Sequence, residues 1–364
     1  MKLEDFNYPL TKELIAQFPC KKRDESRLMI LHKKNGAIEH RTFFELTEYL
    51  KAGDVLVLNN TKVIPARLFG RKTTGGIVEV LLLQKSEVIS RRSEVWNCLI
   101  NPARGLKKGS EIAFEHGLRA TVIEKKADGN WIVELHTDRD IDDAIENIGK
   151  MPLPPYIKRE MGDNAAAMID SERYQTVFAK NKGAIAAPTG GLHFTNELLK
   201  KIRELGAEIF YITLHTGLGT FKPVKADNII EHKMEPEYYN IDPAVFEAIK
   251  YAKMEKRRIV AVGSTATRAL ETMVNPPSPP FAKGGMGGFG WEMPILSGTT
   301  DLFIYPGYRF NAVDALITNF HLPKSTLLML VAAFAGRDSI MEAYKEAVRH
   351  GYRFFSYGDA MLIV

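Results

Sequence analysis

The runs IVEVLLLQK (77–85), EVWNCLIN (94–101), SEIAFEHG (110–117), LRATVIEKK (118–126) and NWIVELHTD (130–138) decide the fold. Each is short, apolar at alternate positions and enriched in β-branched or aromatic residues. Turn signals punctuate them at Gly75-Gly76, Lys108-Gly109, His116-Gly117 and Asp128-Gly129. Short strands at regular spacing, joined by tight turns, close into a small antiparallel sandwich or barrel. This texture occupies residues 67–150 and stops on both sides.

Outside it the pattern changes. RLMILHKKNGAIEHRTF (27–43) reads as a hairpin about Asn35-Gly36, because that dipeptide supplies the positive φ angles of a tight hairpin turn. Residues 11–18 and FFELTEYLKAGD (43–54) read as short helices, the second running into the strand DVLVLNNTKV. After the proline-stiffened MPLPPYIKRE (151–160), strands and helices alternate to the end of the sequence. PAVFEAIKYAKMEKR (243–257) is an amphipathic helix, RIVAVGSTATRALETM (258–273) is strand, loop and helix, and VDALITNFH (313–321) is a buried strand. Alternation of this kind builds a sheet covered by helices. The expected fold is therefore α/β (mixed α+β): a discontinuous α/β domain over 1–66 and 151–364, with a small antiparallel β-barrel domain inserted over 67–150. The Pro- and Gly-rich stretch 275–293 has no periodicity and reads as a flexible surface insertion.

Composition narrows the function classes. With 45% hydrophobic and 26% charged residues over 364 positions, the chain is ordinary globular material. Its two cysteines, Cys20 and Cys98, provide neither a disulfide framework nor a zinc set. The start, MKLEDFNYPLTKEL, is acidic early and has no apolar signal core, so a cytoplasmic protein is expected. The apolar run Leu327–Ala335 is far shorter than a bilayer span and reads as a core helix with Ser325 or Thr326 as N-cap. A net charge of +5, spread over clusters such as Arg91-Arg92, Lys107-Lys108 and Lys125-Lys126, suits a polyanionic partner or simply solvated surface.

Four loops that follow apolar strands carry the chemistry: APTGGLHF (187–194), TLHTGLGTF (213–221), VGSTATR (262–268) and TNFHLPKST (318–326). Each sets Thr, Ser or His beside Gly or Pro, and ligands of α/β sheets bind where strands end in loops. His193, His215 and His321 lie in three of them. Imidazole titrates near neutrality, which suits proton transfer, although a histidine also serves structure alone. Their spacing does not match a zinc motif, and no metal is expected. Arg268 either grips a carboxylate or faces solvent. Neither a GxGxxG turn nor a nucleophile elbow occurs at a suitable place.

Together with RDESRL (23–28), LVLNNTKVIPARLFG (56–70), MPLPPYIKR (151–159), ERYQTVFAK (172–180), TDLFIYPGYRF (300–310) and YRFFSYGDAMLI (352–363), these loops closely resemble one family. It is the S-adenosylmethionine:tRNA ribosyltransferase-isomerase family of queuosine biosynthesis. The similarity runs in order through the whole chain, and departs at Glu235, where the family has histidine, and in the 275–293 insertion. It implies an α/β domain with an inserted barrel. It implies an enzyme that consumes S-adenosylmethionine as co-substrate, without a true cofactor. Its expected partner is tRNA carrying 7-aminomethyl-7-deazaguanine at the wobble position, and its expected form is a monomer. The ribosyl moiety passes to the aminomethyl group and isomerises to give epoxyqueuosine-tRNA, releasing adenine and methionine. Under this reading His321, His215 and His193 transfer protons. Thr189, Gly190, Gly191, Gly217, Gly219 and Thr220 hold the nucleoside, Ser264 and Thr265 bind substrate, and Arg268, Lys324, Ser325 and Thr326 hold the methionine carboxylate. Asn59, Asn60, Arg67, Tyr357 and Asp359 are the expected contacts to the modified base or RNA.

Overall fold

A computed structural model describes residues 1–364 except 161, 218, 220–223, 225, 276–290 and 292–293. The expected Thr220 contact and most of the 275–293 insertion lie outside the described residues.

The larger domain is built on a nine-stranded mixed sheet. Its order from edge to edge is Ser297–Thr300, Glu237–Asn240, Glu208–Leu214, Val55–Asn59, Ile259–Val262, Ala315–Asn319, Ala360–Ile363, Arg27–His32 and Ala37–Thr42. The four strands from Glu208–Leu214 to Ala315–Asn319 run parallel and end on one edge of the sheet. Successive residues of the central strands point into two separate cores. Val55 and Val57 join one with Ile259, Ala261 and Met29, while Leu56 and Leu58 join the other with Val260, Val262 and Leu28. Burial on both faces explains why these strands are unbroken apolar runs. The hairpin falls where Asn35-Gly36 places it, with Gly36 at φ +72°.

A second sheet is a closed six-stranded barrel in the order Trp131–His136, Ser93–Asn101, Ile77–Ser90, Arg67–Lys72, Glu111–Ala113 and Arg119–Lys125, which pairs back with the first. Leu68, Val80, Cys98, Ile112, Val122 and Val133 fill it. A helix that the sequence pattern did not announce, Ile141–Ile148, is capped by Asp140 and adds Ile141, Ala144 and Ile145 to that core. Arg67, at the start of the barrel, and Lys150 exchange two backbone hydrogen bonds of 3.1 and 2.9 Å.

The segment 11–18 differs from expectation. Only Lys12–Leu14 is helical, as a 3-10 turn. The chain then pairs with the C-terminal segment: Ile15 bridges Phe354, and the Ala16 N–H donates to the Phe354 carbonyl at 3.3 Å. Pairing with a distant segment overrides a short local helical pattern. No helix among the described residues is long and apolar enough to cross a membrane.

Candidate active site

The ends of three of the four parallel strands open into a cleft. Its wall takes Thr189 and Gly190 from the loop after Asn181–Ala184, Thr216 from the end of Glu208–Leu214, and Gly263, Ser264 and Thr265 from the turn after Ile259–Val262. Thr318, Asn319, His321, Leu322, Ser325 and Leu327 come from the end of Ala315–Asn319 and the segment after it, and Tyr156, Ala186, Ala187, Pro188, Phe355 and Ser356 complete the wall. Gly190 sits against the Gly263 backbone, whose nitrogen would lie 3.2 Å from an added Cβ. The helix Gly263–Val274 starts with no side-chain cap, so its positive end faces the cleft. No Asp, Glu, Lys or Arg lines this cleft among the described residues.

Thr216 is shared with a wider groove between the barrel and the sheet. That groove has a different character. Lys85, Trp96, Asn97 and Glu146 come to it from the barrel side, and Lys182, His215, Gly217, Glu235, Glu237 and Tyr238 from the sheet side.

His321 and His215 belong one to each concavity. His321 Nε2 lies 2.7 Å from the Thr318 hydroxyl. Its backbone is held by the Tyr344 hydroxyl, which accepts from its N–H at 3.0 Å, and by the Tyr8 hydroxyl, which donates to its carbonyl. Burial pulls its pKa down to about 3, so the imidazole is neutral. His215 Nδ1 lies 2.7 Å from the Thr61 hydroxyl, and its ring stacks on Tyr238 with centroids 5.7 Å apart. The Thr61 hydroxyl can donate to the Asn181 carbonyl at 3.4 Å. In that arrangement it accepts from His215 Nδ1–H and leaves a lone pair on Nε2. Burial lowers this pKa also. Gly183, at φ +146°, lets the ring approach: a Cβ there would stand 2.8 Å from Nε2.

The other expected residues divide. Thr189, Gly190, Ser264, Thr265 and Ser325 line the cleft, and Gly217 lines the groove. The Ser325 hydroxyl caps its own helix, accepting from the Leu328 N–H at 3.2 Å. Gly191 and Thr326 are buried beside the cleft without lining it, and Gly219 packs against Glu235. His193 lies behind the wall, with Nδ1 2.6 Å from the Ser26 hydroxyl and Nε2 3.2 Å from Asn319 Nδ2. Arg268 faces neither solvent nor the cleft. Its Nη1 donates to Glu237 at 2.5 Å and its remaining nitrogens to the Leu302 and Thr300 carbonyls. Lys324 turns outward to Glu4. Asn59 braces the Leu214 backbone through both its N–H and carbonyl, and Asn60 binds Thr213 and Asn181. Arg67 pairs with Glu79 at 3.4 Å. Tyr357 donates to Asp170, and Asp359 accepts the Arg27 and Arg353 N–H groups. Among the described residues, the one metal-like group is His40, Glu346 and His350, none of which lines either concavity.

Sequence reasoning missed Thr61, Thr216, Thr318 and Asn319. Thr216, Thr318 and Asn319 lie inside the polar loops already singled out, so position relative to the strand ends was the signal. Thr61 offered none, because its partner is 154 residues away.

The family described as a queuosine biosynthesis protein matches residues 3–363. A protein of Halothermothrix orenii named S-adenosylmethionine:tRNA ribosyltransferase-isomerase is 50% identical, and one of the same name from a Sulfurihydrogenibium species is 52% identical; both comparisons cover 100% of each chain. The crystal structure of the S-adenosylmethionine tRNA ribosyltransferase of Thermotoga maritima superposes with a TM-score of 0.52 at 38% identity, over 99% of this chain and 100% of that one. With the barrel-in-sheet architecture and full-length similarity in agreement, the chain belongs to the queuosine biosynthesis protein family and is an enzyme of the tRNA ribosyltransferase-isomerase type.

Proposed function

We propose that the chain transfers the ribosyl part of S-adenosylmethionine to the aminomethyl group of 7-aminomethyl-7-deazaguanine at the tRNA wobble position and isomerises it to the epoxycyclopentane of epoxyqueuosine. The observation that carries this is the junction of two unlike concavities at Thr216, each with its own neutral histidine. The inner cleft, without charged walls among the described residues, suits a nucleoside. The outer groove, wide and charged, suits the nucleotide base arriving from RNA together with the zwitterionic end of the methionine.

The reaction needs a base to take a proton from the carbon beside the sulfonium, assistance to adenine as it leaves, and a route for the protons of the attacking amine. Adenine departs with the glycosidic bond pair and takes up a proton. The amine nitrogen bonds to the anomeric carbon. The deprotonated carbon beside the sulfonium closes onto that same carbon as its bond to the ring oxygen breaks, and the freed oxygen then closes the epoxide by expelling neutral methionine. Burial keeps His321 and His215 neutral, so each ring retains one unprotonated nitrogen that can take a proton during the reaction, although the same burial makes both weaker bases than a free imidazole. Thr318 and Thr61 hold their rings. The exposed Arg91, Arg92, Lys107, Lys108, Lys125 and Lys126 on the barrel are available to the anticodon arm.

The test is product analysis with S-adenosylmethionine and tRNA bearing the aminomethyl base. Free adenine and methionine, with a matching gain in tRNA mass, are expected. S-adenosylhomocysteine in their place would make the chain a methyltransferase and end this reading.

A further inference from the structure

Asn319 is buried at the end of its strand and lines the inner cleft. Its amide nitrogen is fully used: Nδ2 donates to the Phe355 carbonyl at 3.0 Å and to His193 Nε2 at 3.2 Å. Its Oδ1 is buried with no hydrogen-bond partner among the described residues. The amide cannot simply be turned round, because the Phe355 carbonyl only accepts. That carbonyl fixes which end is nitrogen. The choice then propagates. His193 Nε2 must accept, so the proton sits on Nδ1 and is given to the Ser26 hydroxyl at 2.6 Å, which can donate in turn to the Arg23 carbonyl at 3.3 Å. The His193 ring is clamped by Phe43, stacked at 4.9 Å. A relay of four residues therefore holds one acceptor oxygen at the cleft wall.

A buried acceptor without a donor is costly unless a ligand brings one. Two features choose the donor. No carboxylate lines the cleft among the described residues, which disfavours a cationic ammonium there. Tyr156 and Phe355, with ring centroids 4.7 Å apart, present aromatic surface to the same cavity, which suits a flat neutral base. The hydroxyls of Thr216 and Thr265 are likewise buried and unpartnered among the described residues, and either can meet a sugar hydroxyl.

We propose that Asn319 Oδ1, oriented through His193 and Ser26, accepts the exocyclic amine of the adenine ring, so that the cleft selects 6-aminopurine over 6-oxopurine nucleosides. This rests on reading the cleft as the S-adenosylmethionine pocket. Asn319 is the specificity residue, and His193 and Ser26 are positioning residues.

The experiment measures binding of 5′-methylthioadenosine and of its 6-oxo counterpart, 5′-methylthioinosine, to the full chain by calorimetry. In the wild-type chain the 6-oxo compound sets oxygen against Oδ1 and should bind at least about tenfold more weakly. Asn319→Ala should abolish the preference. Ser26→Ala and His193→Ala should shrink it, because the amide then turns at lower cost, and His193→Gln should restore part of it. A merely structural role for His193 would lower stability and leave the ratio between the two nucleosides unchanged. Equal binding of both by the wild-type chain, or an unchanged ratio in Asn319→Ala, overturns the proposal and leaves the site reading standing. Failure of the folded wild-type chain to bind either nucleoside removes the site reading and the proposal together.

Discussion

Replacing Arg268 with Met separates two roles for this arginine. Its side chain is 4% exposed and that of Glu237 is 5% exposed, with 2.5 Å between them. Two further donor bonds of 3.2 Å run to the Leu302 and Thr300 carbonyls. Methionine retains most of the apolar stem but removes the Arg268 guanidinium from its ion pair with Glu237. Removing one partner of a buried pair costs roughly 3–5 kcal/mol. At roughly 2–4 °C per kcal/mol for a sizeable domain, melting should fall by roughly 6–20 °C. Glu237 also accepts the Gly217 N–H at 3.0 Å, so the groove edge should loosen with it. Thermal unfolding and steady-state kinetics with S-adenosylmethionine would be read together. Adding Glu237→Leu should recover part of the loss, since both buried charges are then gone. A variant that melts with the wild type while its KM for S-adenosylmethionine rises steeply would refute the reasoning. In that case Arg268 would be releasing Glu237 to hold the methionine carboxylate.

Stability should also depend on pH through two histidines. Burial pulls His193 and His321 down to about 3, whereas the unfolded chain retains values near 6.5. Between those values the unfolded chain binds protons that the native state refuses. The contribution is therefore complete above about pH 6.5 and is lost progressively as pH falls towards 3. Denaturant midpoints measured from pH 7 to pH 4.5 should decline, and a flat profile would contradict the burial. Gly183→Ala places a Cβ 2.8 Å from His215 Nε2 in a conformation that L-residues avoid; the barrel should remain folded by circular dichroism while kcat drops by about tenfold or more. Affinity for tRNA should fall steeply between about 50 and 200 mM salt if the exposed barrel lysines and arginines meet phosphates, and a salt-independent Kd would move the RNA to another surface.

The architecture was legible because it is written in local signals. The barrel follows from alternating runs with turn dipeptides, and the sheet from apolar runs that feed polar loops. The loops that carry His215 and His321 could be found for the same reason: an apolar strand that stops at His, Thr and Gly announces a strand end. What a loop residue does once it arrives is decided by partners that the local sequence does not contain. Glu237, 31 residues from Arg268, turns a candidate carboxylate clamp into a buried ion pair. Glu4, at the other end of the chain, takes Lys324 away from the helix start. The Leu214 backbone converts Asn59 from a candidate base reader into a brace. His193 shows the same logic at the level of single atoms. As an imidazole beside two glycines it resembles a proton carrier, yet the Phe355 carbonyl, 36 residues from Asn319, dictates the orientation of the amide and through it the tautomer of the ring. Residue type marks which groups can react. Long-range hydrogen bonds decide which atom of each is left over, and in this cleft the atom left over is an acceptor on a residue whose type alone gave it no chemical role.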